Sequence, residues 1–184
     1  MEREGRKGRR ARLAVAGVAG VACLAVAAPA FAQPPHVRGE DSMQRLIDDA
    51  ARRAPAIREW IDRLQALDVV VYVRARRLPQ VDLDGRVSLL STVGGRRYLV
   101  IELACDRSEI TQMATLGHEL YHAIEIAGEP TVVSAATLAD LYERIGRKTG
   151  DTIGQRTFET EAAAAAGLRA RHQLLSTTRH GNGT

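Results

Sequence analysis

His118-Glu119-Leu120-Tyr121-His122 places two imidazoles four residues apart, with a carboxylate directly after the first. On an α-helix four residues amount to about 400° of rotation, so both rings leave one face a turn apart, within reach of one tetrahedral Zn²⁺. Glu119 is rotated by about a further 100°. Its carboxylate therefore cannot easily join the metal, but it can reach a metal-bound water and serve as general base. The chemistry implied is attack of an activated water on a polarised carbonyl. Chance alone produces this five-residue pattern in well under about 1% of chains of this length, which favours a metal site over accident.

The histidines need a rigid helix, and the surrounding residues supply one. Ile110, Met113, Ala114, Leu116, Leu120, Ala123, Ile124 and Ala127 recur at helical spacing over 108–127, and Gly128 and Pro130 end the run. Met43, Leu46, Ile47 and Ala50 mark an earlier helix after Ser42, and Ile57, Trp60, Ile61 and Leu64 mark a second after Pro55. The β-branched run 69–73 reads as a strand, and Asp84-Gly85 and Gly94-Gly95 are turn signals bounding strands at 86–91 and 97–103. These make a small antiparallel sheet of about three strands packed on helices, an α+β class. Two more helices are expected at 135–145 and 158–175, separated by a polar loop, with a disordered tail at 176–184.

With this context the motif resembles that of the zincin metallopeptidases. The metzincin subclass is excluded, because Glu125 and Gly128 stand where it requires Gly and a third His. The gluzincin subclass takes its third ligand from a Glu on a later helix, and Phe158-Glu159-Thr160-Glu161-Ala162-Ala163 is similar to that segment. The stretch Leu116-Gly117-His118-Glu119-Leu120-Tyr121-His122-Ala123-Ile124-Glu125-Ile126-Ala127, together with Phe158-Glu159-Thr160, also resembles a group of short exported bacterial proteins of uncharacterised function. The resemblance spans roughly 69–167. It implies a zincin-like fold, one Zn²⁺ held by His118, His122 and a Glu near 159, Glu119 as catalytic base, and hydrolysis of a peptide or protein substrate. It also implies that the strand at 97–103 forms the rim of the cleft and pairs with extended substrate. Periodicity does not choose between Glu159 and Glu161, which point about 200° apart on a helix; the resemblance points to Glu159.

The chain departs from the gluzincin pattern where an Asp four residues after the ligand Glu would orient a metal-bound His. Ala163 and Ala165 occupy the two relevant places. Support must then come from elsewhere, or binding and turnover are weakened. Glu125 shares the face of His118 one further turn along and is read as either supporting the site or solvated. Tyr142 is a candidate for stabilising the oxyanion, His172 reads as a surface histidine, and Arg74, Arg76 and Arg77 read as a solvated strand edge. Two rival readings follow: a zinc-binding protein with little or no activity, and a metal-independent exported interaction module.

Composition narrows the partners. The chain has 184 residues, 26 Lys+Arg against 22 Asp+Glu, and 45% hydrophobic residues, an ordinary globular balance. Residues 1–32 hold six basic and two acidic side chains, the whole net charge of +4, and the remaining 152 carry 20 of each sign. No basic footprint for nucleic acid survives outside that segment. A basic start, an uncharged run over 13–32, Pro29 and Ala30-Phe31-Ala32 have the three parts of a secretory signal cleaved after Ala32. The protein is then secreted or periplasmic and free of the membrane, with an uncleaved anchor as the alternative, and Arg9-Arg10 leaves both the general and the twin-arginine export routes open. Residues 33–40 read as a flexible leader to a domain over 41–175. Cys105 is the one cysteine left after cleavage, so no internal disulfide can stabilise that domain.

Overall fold

Local sequence signals set the helix starts. Pro55 opens a helix at its first position, where its missing N–H costs nothing, and Ser108 caps another by accepting from the Thr111 N–H at 3.3 Å. The computed structural model describes residues 33–79, 83–152 and 155–181, and the expected signal segment 1–32 lies outside them. The elements in order are β1 (Val37–Gly39), α1 (Asp41–Arg53), α2 (Pro55–Gln65), β2 (Val69–Arg76), β3 (Gly85–Val93), β4 (Arg96–Ala104), α3 (Glu109–Gly128), α4 (Ala135–Ile145), β5 (Arg147–Thr152), β6 (Gln155–Glu159) and α5 (Glu161–Gly181). No described helix is long and apolar enough to cross a membrane.

The class is α+β, but the sheet is not the antiparallel three-stranded one expected. It has four strands in the order β1-β2-β4-β3, with β1 and β4 parallel to β2 and only β3 antiparallel to β4. Val69, Val71 and Val73 of β2 and Leu99, Ile101 and Leu103 of β4 are buried in one core with the helices. The β3–β4 turn is made by Gly94 and Gly95, both at positive φ (57° and 80°), which glycine adopts without steric cost.

The strand at 97–103, expected at the rim, is interior and paired on both sides. The sequence carries the reason: Leu99 to Ala104 is apolar but for Glu102, the near-continuous run of a strand covered on both faces, and every residue of it is buried, whereas Arg86 to Ser91 mixes polar and apolar residues as an edge does. The edge strand beside α3 is β3. On the sheet face away from the helical core, Glu102 is buried and accepts from Arg74 at 2.6 Å and Arg86 at 2.6 Å, with Arg76 at 3.2 Å. Arg74 and Arg76, expected as solvated edge residues, thus converge on one buried carboxylate. Burial opposes its ionisation, but Arg86 and Arg74 outweigh burial and hold Glu102 below the usual carboxylate range. A further buried arginine, Arg97, donates to the carbonyls of Ile126 (2.7 Å), Ala127 (2.9 Å) and Glu129 (2.8 Å), closing the C-terminal end of α3.

Both supposed chain ends are structured where described. The leader contributes β1, anchored as the Val71 N–H donates to the His36 carbonyl at 2.7 Å and the His36 N–H donates to Gln65 at 2.8 Å. The expected tail continues α5 to Gly181. α5 is anchored just before this stretch by buried Leu174 and by Gln173 accepting from the Ala56 N–H at 3.0 Å, and within it Thr177 donates to the Arg53 carbonyl at 3.0 Å. The polar loop before α5 is a β5–β6 hairpin, so Phe158 and Glu159 end a strand instead of opening a helix. Phe158 stacks on Tyr142 at 6.3 Å between ring centroids, which draws that strand end against α4.

Candidate metal centre

Two glycines let α3 lie close to its neighbours, and α5 to α3. A Cβ at Gly117 would lie 2.7 Å from Ala170 Cβ on α5, and one at Gly167 would lie 3.1 Å from His118 Cβ. Close packing of α3 and α5 brings the end of β6, immediately before α5, over the His118–His122 face. Glu159 Oε2 lies 3.4 Å from His118 Nε2, and Glu159 Oε1 lies 3.6 Å from His122 Nε2. The three ligand atoms all fall within 4.8 Å of one another. Bonds of about 2.0–2.2 Å at tetrahedral angles separate neighbouring ligands by about 3.3–3.5 Å; the two Glu159–histidine distances match that spacing, and the wider separations in the cluster, up to 4.8 Å, would have to close for one Zn²⁺ to be held. Glu161 is exposed on the first turn of α5 and belongs to no such cluster among the described residues.

Each candidate ligand is held from behind. Glu125 Oε2 lies 2.8 Å from His122 Nδ1. An ionised carboxylate can only accept, so Nδ1 carries a proton toward Glu125, which leaves Nε2 facing Glu159. The Tyr142 hydroxyl stands 3.2 Å from the same Nδ1, on the side of the ring away from Glu159, and also bonds Glu125. Buried there, it backs His122 from the Nδ1 side. His118 bonds the backbone carbonyl of Ala163 on α5. A Cβ at Gly167 would come 3.3 Å from His118 Nδ1, so the absence of a side chain there is what admits the ring. Glu159 Oε1 accepts the Thr160 N–H at 2.8 Å. His172 is exposed, as expected for a surface residue.

These contacts give a direct test. Gly167→Ala should favour the α5 helix by up to about 1 kcal/mol, yet crowd His118. The expected outcome is undiminished melting temperature in chelator together with weaker zinc binding, measured by melting and by competition against a zinc indicator.

Glu119 sits apart from the ligand cluster, with Oε1 4.0 Å from His118 Nε2 and the residue 4% exposed. A Cβ at Gly85 of β3 would lie 3.2 Å from that oxygen and 2.5 Å from Thr115 Cγ2, so glycine allows the edge strand to approach α3 here. The Val87 backbone N–H bonds the Glu119 carboxylate. Burial, aided by the negative charge of Glu159, pushes Glu119 up to about 7 against the opposing pull of His122 and Val87. Burial alone would lower His122, but its bonds to Glu125 and Glu159 raise it to about 9. Burial and the neighbouring His122 lower His118. In Glu159 burial is outweighed by the two histidines, and its carboxyl stays below the ordinary range.

Comparison with family models, with curated proteins and with solved structures yielded no match. The arrangement of side chains is therefore what speaks to function. It unites His118, His122 and Glu159, with Glu119 beside them. Sequence reading passed over Thr160, Ala163 and Gly167, whose parts depend on backbone groups and on close approach, which spacing alone does not reveal.

Proposed function

We propose that the protein is an exported, zinc-dependent peptidase of the zincin type, with His118, His122 and Glu159 as metal ligands and Glu119 as general base. The observation that carries the reading is the convergence of three candidate ligand atoms beside a buried carboxylate, Glu119, 4.0 Å from the nearest of them. When bound, zinc supplies Lewis acidity, polarising a carbonyl and acidifying water near neutral pH. Glu119, as general base, takes a proton from the attacking water and returns it to the departing amine. The Val87 N–H and the close approach of Gly85 hold that carboxylate against β3. An extended peptide adding to the outer edge of β3 through backbone hydrogen bonds would pass directly by Glu119, with weak side-chain selectivity.

The missing Asp after Glu159 gives little support to an inactive zinc-binding protein, because Glu125 occupies the orienting position from α3 itself. An interaction module whose histidines are merely structural has no need of two Nε2 atoms turned toward one carboxylate. Hydrolysis of a mixed peptide library, abolished by chelator and restored by zinc, tests the reading. A stoichiometric zinc protein that cleaves nothing in the library would overturn the peptidase and leave the metal site.

Export rests on the N-terminal charge asymmetry and on Ala30-Phe31-Ala32. The mature protein should begin at Gln33 outside the cytoplasm. N-terminal sequencing of the exported protein checks this, and an intact Met1 in the membrane fraction would mean an anchor.

A further inference from the structure

We infer that Thr160 is a positioning residue that sets metal affinity by tying the third ligand to the second through Glu125. The inference rests on the zinc reading above and concerns how the site is assembled. Glu159 closes a strand, so its carboxylate is carried by a segment that α3 does not otherwise fix. Thr160, 5% exposed, connects the two in three ways. Its N–H holds Glu159 Oε1 at 2.8 Å. Its hydroxyl oxygen accepts the Ala163 N–H at 3.1 Å, capping α5. Its single hydroxyl proton goes to Glu125 Oε1 at 2.7 Å.

The proton count makes this directional. A threonine hydroxyl has one hydrogen and an ionised carboxylate has none. With the cap using the oxygen as acceptor, the hydrogen is free for Glu125 alone. Glu125 then has one oxygen satisfied by Thr160 and the other by His122 Nδ1–H, which fixes the tautomer that presents Nε2. One side chain thereby sets the lateral position of Glu159 and, through Glu125, the orientation of His122.

The test compares zinc affinity, and the visible absorption of the Co²⁺-loaded protein, across Thr160→Val, Thr160→Ser, Glu125→Gln and the Val/Gln double variant. Thr160→Val keeps the shape and removes both hydroxyl functions; affinity should fall about 10–100-fold, as for other groups that orient a metal ligand. Thr160→Ser should restore affinity to within a few fold of wild type and restore the Co²⁺ spectrum. Glu125→Gln should lose affinity by a comparable factor, and it carries the test from the α3 side if Thr160→Val does not fold. The double variant should bind little worse than the weaker single one, because both break the same connection.

Wild-type affinity and spectrum in Thr160→Val, or in Glu125→Gln, would overturn the inference. So would losses that multiply in the double variant, since Thr160 would then act only as the cap of α5. Failure of the wild-type protein to take up one metal ion would overturn the zinc reading itself, a result distinct from tight binding that is indifferent to Thr160.

Discussion

His122→Ala should abolish stoichiometric zinc binding and, with it, all stabilisation by zinc. The substitution removes one of three ligand atoms, and it also removes the Nδ1–H that Glu125 accepts at 2.8 Å and the ring against which Tyr142 packs at 5.3 Å between centroids. A metal that binds only the folded state stabilises it by about 4 kcal/mol when present at about 1,000 times its Kd. For a domain of this size that corresponds to a rise of about 10 °C in melting temperature. The wild-type protein should show a shift of that order on adding zinc, and His122→Ala none. His118→Ala should behave alike toward zinc with less effect in chelator, because His118 is the more exposed of the pair. Melting with and without zinc, alongside elemental analysis, separates loss of metal from loss of packing.

Glu119→Gln should do the reverse, retaining zinc and losing turnover. Its carboxylate is 4.0 Å from the nearest ligand nitrogen, and Val87 can donate as well to an amide oxygen, so neither ligand geometry nor the β3 contact depends on the charge. What disappears is the proton acceptor, worth about 10²–10⁴ in rate. The amide also avoids burying a charge. In chelator-treated protein the fold keeps a proton on Glu119 up to about 7 that the unfolded chain releases near its ordinary value of about 4.3. Its folded pKa is raised, so its contribution to stability declines as pH rises through that window, and Gln should remove the decline. Loss of zinc by Glu119→Gln as complete as that of the histidine variants would show that base and ligands had been misassigned.

Much of this was legible in the sequence because helix periodicity is a strong signal. The helix that carries the two histidines and its stop at Gly128 follow from spacing and composition, and so does the convergence of His118 and His122 on one face. The sheet was harder. Parallel pairing of β2 with β4 depends on which strands the helices allow to meet, and short β1 lies within eight residues that look like a solvated leader. The run Leu99-Val100-Ile101, apolar again at Leu103-Ala104, has the composition of a strand covered on both faces, and it was read as a rim strand because the resemblance placed substrate there. Near Glu159 the Ala-rich run that follows extends helical periodicity backward over two residues that in fact finish a strand. The argument that two residues about 200° apart cannot both face the metal therefore had no helix to act on; Glu161 is set aside because it opens α5 facing solvent. Glu125 was left open by the sequence, since nothing in the spacing shows that Thr160 and Tyr142 meet it from two other elements.

Anomalous diffraction at the zinc edge from crystals of the zinc-loaded protein tests the central claim most directly. The account predicts one zinc per chain, about 2.0–2.2 Å from His118 Nε2, His122 Nε2 and a Glu159 oxygen, with Glu125 still on His122 Nδ1. Zinc bound through Glu161 or elsewhere on the surface, or no ordered zinc on the His118–His122 face, would contradict it.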